Sequence, residues 1–441
     1  MSDSAHRQTA FRLLLQDYGM VLVLLLLAVV LSVLTLERQS PVGSDAGRQV
    51  ADETVARYGP SARVLIVAGL TPLDHAFADA AAQELQSAGA TVLGKVNGGP
   101  PDARQAIDRI LQDGSSIDAI AATADAGTWT LYDRFESVGH GRCVMPESYV
   151  WPKFATLENM LNIANQTAIY AIIAIGMTLV IITGGIDLSV GSLVALASVS
   201  AAIFIRSAGG ANASVSMMIC GCVIGILACA AAGAFNGLMV TRFRIPPFIA
   251  TLSMMMVARG AARRVTDELS IQQLPDTFLW LGKGTVAGIP NAVVLMLVLY
   301  VLAHLLMMKT VFGRCVYAVG GNAEAARLSG VPVKRVVLSV YILCGILAGL
   351  GGVVLSSKLG SGDPKLGLML ELEVIAAVVV GGTSLMGGEG RIFGTLIGAF
   401  IIAVMKNGLN LMNVGDPEQE IVVGAVVLAA VLVDTIKHRR S

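Results

Sequence analysis

The chain has 441 residues, of which 55% are hydrophobic and only 14% are charged, and its mean hydropathy is +0.72. Soluble domains carry about 25% charged residues, so this composition excludes a water-soluble fold and predicts a membrane protein. The formal net charge is zero, which gives no support for a nucleic-acid partner. Six cysteines occur without the spacing of a metal site, so no metal and no disulfide framework are predicted.

The first hydrophobic run covers residues 18–36 and is long enough to cross about 30 Å of hydrocarbon. It leads into Leu36, Glu37 and Arg38 instead of a small-residue cleavage site, so we interpret it as an uncleaved transmembrane helix. Basic residues precede the run, which predicts a cytoplasmic N-terminus. Residues 1–37 therefore make the first predicted segment, a cytoplasmic end with its transmembrane helix.

Residues 38–157 have the composition of a soluble domain. Strands are predicted at 63–68, 91–96 and 117–122, with helices between them at 73–88 and 102–112. Alternating strands and helices of this length indicate βαβ units on a parallel sheet. We therefore predict an inserted α/β domain, half of a doubly wound fold with its core at about 61–135, outside the cytoplasm.

The remaining residues, 158–437, are dominated by segments that suit lipid. Transmembrane helices are predicted near 159–182, 188–205, 215–240, 247–262, 291–308, 336–357, 370–386, 392–412 and 421–436, which makes ten with the first. Basic residues in the loops after 240 and 308, before 392 and after 436 then lie inside, so both termini are predicted to be cytoplasmic. Arg259, Arg263 and Arg264 fall at an outer end, which leaves a half-helix there, or an error of one transmembrane helix in the count, as alternatives.

Two predicted helices are interrupted by the same pattern, Gly-Gly-x-x-Leu-x-x-Gly, at 184–191 and 381–388. Asn-Gly-Leu also recurs, at 236–238 and 407–409. Corresponding interruptions in two halves are typical of transporters built from a repeated unit. The fold class predicted is a polytopic α-helical membrane protein with a weak internal repeat.

Ionisable residues inside the membrane are costly and therefore candidates for function. The candidates singled out at membrane depth are the carboxylates Asp187, Glu371 and Glu373, with His304 and Lys406 near helix ends. No string of such residues forms a proton relay, which weakens a proton-driven secondary transporter. Asp187 either lines the pathway or caps a helix beginning at Leu188.

A sugar pathway needs side chains that form hydrogen bonds. Polar residues at helical spacing in the second helix meet this need, although packing between helices explains them equally well. The candidates for the translocation path are Asn162, Gln166, Asp187, Ser189, Glu373 and Thr383.

No motif for catalysis is present. Residues 282–285 fail the spacing of a nucleotide phosphate loop, and no serine elbow or His-Glu-x-x-His occurs. The chain is therefore predicted to be no enzyme and to bind no cofactor itself.

The segment 310–335 is predicted to be a cytoplasmic loop. Asn322 is placed to cap a short helix of Ala, Glu, Arg and Leu that Gly330 ends. A short helix with both charge signs suits docking into a groove of a partner, and an ordinary connector is the alternative.

Four motifs resemble those of the ribose-type permeases of bacterial ABC importers, and the match runs from about 157 to 437. They are Gly-Met-Thr-Leu-Val-Ile at 176–181 with Thr-Gly-Gly-Ile-Asp-Leu-Ser-Val-Gly-Ser at 183–192, Phe-Ile-Ala-Thr-Leu at 248–252, Gly-Gly-Asn-Ala-Glu-Ala-Ala-Arg-Leu-Ser-Gly at 320–330, and Gly-Gly-Thr-Ser-Leu-Met-Gly-Gly at 381–388. The resemblance implies a permease homodimer in the inner membrane, a cytoplasmic ATP-binding subunit and an extracytoplasmic sugar-binding protein. The substrates it implies are monosaccharides such as ribose, xylose, arabinose or galactose.

The resemblance also implies that the ATPase engages the loop at 320–330. The coupling residues it assigns there are Gly320, Gly321, Asn322, Glu324, Ala325, Arg327, Leu328 and Gly330. ATP is then bound by the partner subunit.

The inserted residues 38–157 depart from that family, whose members have only a short loop after the first helix. Their strand and helix order is similar to the N-terminal lobe of sugar-binding proteins. A single lobe does not close around a sugar, so a docking or regulatory module is favoured. Asp125 and Trp129 are distant candidates for sugar contact, and Trp129 is more readily a core residue. The alternatives to a transporter subunit powered by ATP are a membrane-anchored sugar sensor and a proton-driven transporter.

Overall fold

The computed structural model describes residues 19–135 and 138–438, and for 140, 430 and 433–438 the backbone alone. The chain divides into two compact units. One unit is Leu36–Pro152, and the other joins the residues up to Thr35 to Lys153–Ser441. The first helix of the second unit, α1, is described over Gly19–Leu34.

The unit Leu36–Pro152 is built on a four-stranded parallel sheet in the order β3-β2-β4-β5. Its elements are β1 (Leu36–Gln39), α2 (Gly43–Tyr58), β2 (Arg63–Ala68), α3 (Pro72–Ser87), β3 (Thr91–Asn97), α4 (Pro100–Gln112), β4 (Ala119–Ala122), α5 (Ala124–Gly127), β5 (Cys143–Val144) and β6 (Tyr149–Pro152). The central strand β2 is buried on both faces, as a parallel strand covered by helices on either side must be.

Alternate residues of β2 supply two separate cores. Ile66 packs with α2 and α3 on one face of the sheet, whereas Val67 packs with α4 on the other. A Cβ at Gly47 of α2 would overlap the backbone carbonyl of Phe77, so α2 and α3 approach each other closely. Helix α2 was not predicted from the sequence. The residues that pack it against α3 are mostly small, so they form no clear apolar stripe.

The ends of this unit pair with each other. Strands β1 and β6 form an antiparallel ribbon with Leu36 opposite Pro152 and Gln39 opposite Tyr149. The unit therefore begins and ends at neighbouring positions, which is the geometry expected of a domain inserted into another.

The described residues of the second unit form helices, loops and one short hairpin. After α1 its elements are α6 (Leu157–Ile182), α7 (Val190–Ser207), α8 (Val215–Arg242), α9 (Pro247–Thr266), α10 (Asp276–Lys283), β7 (Thr285–Val286), β8 (Ile289–Pro290), α11 (Asn291–Lys309), α12 (Val311–Gly321), α13 (Ala323–Leu328), α14 (Val333–Leu359), α15 (Leu370–Val380), α16 (Ile392–Leu411) and α17 (Asp416–His438).

Within the described residues, six helices are long and apolar enough to cross a membrane: α6, α7, α8, α11, α14 and α16. The other four of the ten predicted transmembrane helices therefore remain a prediction. The described part of α1 is shorter than a span, and Tyr18 lies outside the described residues. The helix predicted at 370–386 is wrong at its end, because α15 stops at Val380 where Gly381 and Gly382 form a turn.

Helix α6 lies at the centre of this unit and is largely buried, whereas α8 is largely exposed. Helices α8 and α14 pack through glycines. A Cβ at Gly233 would overlap the carbonyl of Tyr341, and one at Gly345 would overlap that of Cys229. Small residues permit this approach of helix backbones in lipid, which accounts for part of the chain's 48 glycines.

Candidate functional site

The predicted docking helix is α13. The Asn322 side-chain oxygen accepts a hydrogen bond from the Ala325 N–H at 2.9 Å, and Gly330 has φ of 84° just after the helix. The cap and the glycine stop predicted from the sequence are confirmed, because both depend on neighbouring residues only.

The outer face of α13 carries charge and one large apolar side chain. The Arg327 guanidinium binds the Glu324 carboxylate at 2.5 Å and 3.2 Å, and both side chains are more than half exposed. This hydrogen bond and the adjacent charge lower the pKa of Glu324 and raise the pKa of Arg327. Leu328 is 76% exposed, whereas Ala326 is buried beneath the helix. The face is therefore amphipathic and open.

The segment before α13 is fixed to two helix breaks. The Gly388 N–H donates to the carbonyl of Ile182 at 2.9 Å, and the Tyr317 hydroxyl donates to the carbonyl of Gly390 at 2.7 Å. A Cβ at Gly320 would overlap the Ile182 carbonyl oxygen. The end of α6, the loop between α15 and α16 and the end of α12 therefore meet at one place.

The first break contains Asp187, which is fully buried. Its Oδ1 atom accepts hydrogen bonds from the Ser189 N–H at 2.9 Å and the Ser189 hydroxyl at 2.5 Å. The Asn236 amide of α8 donates to the same hydroxyl at 3.1 Å. The helix begins at Val190, not Leu188, so the prediction that Asp187 caps it is wrong: Asp187 closes a turn before the N-cap residue Ser189.

Three buried polar atoms around this break lack a hydrogen-bond partner among the described residues. They are Asp187 Oδ2, Asn236 Oδ1 and the Tyr341 hydroxyl oxygen. Thr251 of α9 donates to the carbonyl of Ile186 at 3.2 Å, which ties a further helix to the turn. Side chains of α8 and α9 thus donate hydrogen bonds to the unwound segment between α6 and α7, an arrangement that transporters use where backbone leaves the helix inside the membrane.

A second polar cluster lies between α6, α15 and α16. Lys406 Nζ donates to Glu373 Oε1 at 2.8 Å and lies 5.9 Å from the centre of the Tyr170 ring. Gln166 and Tyr170 line a cavity of about 10 Å³ with this ion pair, which is space for about one water molecule. Both charged side chains are about four-fifths buried.

The structure brings some predicted path residues together and separates others. Gln166 and Glu373 line the same small cavity. Asp187 and Ser189 form a hydrogen bond in the other cluster. Asn162 is exposed on α6, and Thr383 is buried against Gly390. Tyr170 and Asn236 were not among the path residues predicted from the sequence. Three residues named from the sequence pointed to the second cluster: the path candidates Gln166 and Glu373, and the ionisable Lys406 near a helix end.

The arginines that conflicted with the positive-inside pattern lie on α9. Arg259 donates to the carbonyls of Leu366 and Gly367 at 3.4 Å and 3.2 Å. Glu371 is buried nearby, and a Cβ at Gly191 would overlap its Oε2 atom. Arg259 therefore serves as a hydrogen-bond donor to an irregular loop, which accounts for its position better than loop charge does.

In the α/β unit the two distant candidates for sugar contact are not brought together in a pocket. Asp125 is exposed on α5, and Trp129 is half-buried against the core that contains Val67. This supports the interpretation of Trp129 as a core residue. Among the residues that the structure describes, no group of His, Cys, Asp or Glu is arranged to hold a metal.

These features define a multi-pass membrane protein with broken, glycine-packed helices, the class to which transport permeases belong. The family described as "Branched-chain amino acid transport system / permease component" matches residues 159–431, and the chain belongs to it. The α/β unit Leu36–Pro152 lies outside that match. No solved structure gives a significant match.

Several characterised permeases are similar to this chain. The ribose import permease protein RbsC of Escherichia coli strain K12 is 44% identical over 291 residues, 65% of this chain and 88% of the relative. RbsC of Bacillus subtilis strain 168 is 47% identical over 288 residues, 65% of this chain and 87% of the relative. The L-arabinose ABC transporter permease protein AraH of Azospirillum brasilense is 38% identical over 329 residues, 74% of this chain and 94% of the relative.

Proposed function

We propose that the chain is the membrane permease subunit of a bacterial ATP-binding-cassette importer for a monosaccharide of the ribose, xylose, arabinose or galactose type. The observation that carries this proposal is the identity of 44% and 47% to two ribose import permeases, over 87% to 88% of their length. The L-arabinose permease supports the wider class of sugar. The chain itself performs no chemistry in this proposal, since a separate subunit hydrolyses ATP.

The proposed assembly contains two copies of this chain, with the translocation path between them. The protein crosses the inner membrane ten times in this proposal, and both termini are cytoplasmic. An extracytoplasmic sugar-binding protein delivers the substrate to the outer face. Gln166 and Glu373 are the path candidates with the best support, because they border the same small cavity.

The proposed coupling surface is the segment 310–335, with Gly320, Gly321, Asn322, Glu324, Ala325, Arg327, Leu328 and Gly330 facing or shaping the contact. Support comes from α13, which presents the Glu324–Arg327 pair and Leu328 on an open face. The segment before it packs against the Ile182 end of α6 and the loop at Gly388. Movement of α13 by the ATPase would therefore reach both helix breaks as a rigid-body displacement.

Reversal of single charges tests the coupling. Glu324→Lys and Arg327→Glu are expected to abolish ATP-dependent sugar uptake in vesicles while the protein still inserts, because an exposed ion pair contributes little to stability. Arg264→Glu is the matched control, since Arg264 pairs with Asp267 three residues away at similar exposure. Uptake at the normal rate in both α13 variants would refute coupling at this surface.

The source of energy distinguishes the proposal from a proton-driven transporter. Uptake of labelled pentoses and hexoses is expected to stop on ATP depletion, even when the membrane potential is maintained. A secondary transporter would instead continue without ATP and stop with an uncoupler. The same sugar panel identifies the substrate.

The α/β unit is proposed to lie outside the cytoplasm as a docking or regulatory module that resembles one lobe of a sugar-binding protein. The sheet order β3-β2-β4-β5 supports the resemblance to such a lobe, since it is the strand order of an open doubly wound sheet. Residues 40–148 can be replaced by a short turn, because Gln39 and Tyr149 are directly paired. The shortened permease is expected to retain weaker uptake, whereas a membrane-anchored sensor would lose its response entirely.

A further inference from the structure

An open groove of about 670 Å³ lies in the membrane unit, between the first turn of α8 and the helix α10. Neither the family nor the proposed transport function assigns it a role. Its lining includes Val215, Met218, Asp276, Leu279, Trp280 and Lys283.

Helix α10 is held firmly beside the groove. The Gly282 N–H donates to the Ser357 hydroxyl at 2.8 Å, and that hydroxyl donates to the Phe278 carbonyl at 2.5 Å. The Asn291 amide donates to the Trp280 carbonyl at 2.6 Å. The indole of Trp280 nevertheless stays 60% exposed, so the fold places a large aromatic ring in the groove and leaves it uncovered.

The other wall belongs to α8, a long apolar helix whose surface is largely exposed. Helix α8 has 28 residues and little burial, and Ile219 and Leu227 are 54% and 60% exposed. A helix of this length extends about 42 Å, more than the roughly 30 Å of hydrocarbon. Its first turn therefore reaches the headgroup layer, where tryptophan side chains are favoured.

The charges of the groove fit a headgroup that carries both signs. Asp276 and Lys283 stand at opposite ends of α10, about 10 Å apart along the axis, with Leu279 and Trp280 between them. Neither has a salt-bridge partner in the described part of the chain. One free anion and one free cation beside an apolar wall match a zwitterionic phospholipid.

We propose that this groove binds a phospholipid with an ethanolamine headgroup. The phosphate binds Lys283 and the ammonium group binds Asp276, while the glycerol and upper acyl chain pack on Trp280, Met218 and Val215. Ethanolamine is preferred to choline because its N–H groups donate hydrogen bonds to a carboxylate. The site does not depend on transport, and its tests do not measure transport.

Tryptophan fluorescence tests occupancy, because the chain has only three tryptophans. The Trp129→Phe/Trp151→Phe variant keeps Trp280, and its emission is expected to be quenched by phospholipids brominated in the upper acyl chain. The Trp151→Phe/Trp280→Phe variant keeps Trp129 as the unquenched control. Failure of brominated lipid to quench Trp280, or photocrosslinking from position 280 to a second protein chain, would overturn the proposal.

Headgroup preference is tested by thermal unfolding of the purified protein in detergent with added phospholipid. Phosphatidylethanolamine is expected to raise the midpoint by several degrees more than phosphatidylcholine. Asp276→Asn and Lys283→Gln should remove the difference, and Lys365→Gln, at another exposed lysine, should leave it intact. Equal stabilisation by both lipids, or stabilisation by phosphatidylglycerol alone, would contradict the ethanolamine assignment.

Discussion

The backbone N–H of Gly388 donates a hydrogen bond to the carbonyl of Ile182 at 2.9 Å. This bond joins the loop after α15 to the end of α6, which are the two places where the Gly-Gly-x-x-Leu-x-x-Gly pattern interrupts a helix. The recurring pattern thus marks two segments that touch. Gly320 packs against both, so the proposed coupling loop has a short mechanical connection to each break.

Gly320 is expected to tolerate no side chain. A Cβ there would overlap the Ile182 carbonyl oxygen and lie 2.6 Å from the Gly388 nitrogen, both of which are backbone atoms. Gly320→Ala should destabilise the protein by about 1–3 kcal/mol, as overpacking does, and abolish uptake. Gly321→Ala is the control, because a Cβ at Gly321 has no atom within 4 Å. Equal unfolding midpoints of the two variants in detergent would contradict the contact.

Asp187 is expected to act by closing the turn at Ser189, not by its charge. Asp187→Asn keeps the oxygen that accepts both Ser189 hydrogen bonds. This variant should transport sugar within about threefold of the normal rate, a change of less than about 1 kcal/mol in activation free energy. Asp187→Leu leaves buried donors unpaired and should reduce the folded yield. A fully folded Asp187→Asn protein without uptake would instead show that the charge itself is needed.

The Glu373–Lys406 pair is expected to behave as a unit. Glu373→Gln or Lys406→Met alone leaves a largely buried charge without its partner, which costs on the order of 3 kcal/mol. The double variant should recover much of this loss, because no unpaired charge remains. Unfolding in mixed detergent micelles measures the coupling energy of the pair. Additive single-variant losses would mean that the 2.8 Å contact contributes no coupling.

Asp118 makes the α/β unit less stable in acid. A hydrogen bond from Arg63 lowers the pKa of the Asp118 carboxyl below its unfolded value of about 3.9. The bond therefore stabilises the unit fully above that value, and its contribution is lost as the pH falls through the lower folded pKa. Hydrogen exchange in β2 and β4 should differ between the native protein and Asp118→Asn at pH 6 and converge near pH 2. A constant difference would refute the linkage.

Sequence alone was sufficient where the deciding contacts are close along the chain. The bounds predicted for β2 are those observed, because a short apolar run between turn residues is decided by its own pattern. The Asn322 cap depends on a residue three positions away. The class of protein followed from the hydrophobic runs and the motifs, which are also local features.

Only the tertiary structure decided which distant residues meet. Glu373 and Lys406 stand on different helices, and the Ser189 hydroxyl that binds Asp187 accepts a hydrogen bond from Asn236 on α8. The helix α2 was missed because its burial arises from contact with Phe77 of α3. Local pattern thus fixes which segments form, whereas the polar partners inside the membrane unit depend on how helices from separate parts of the chain pack.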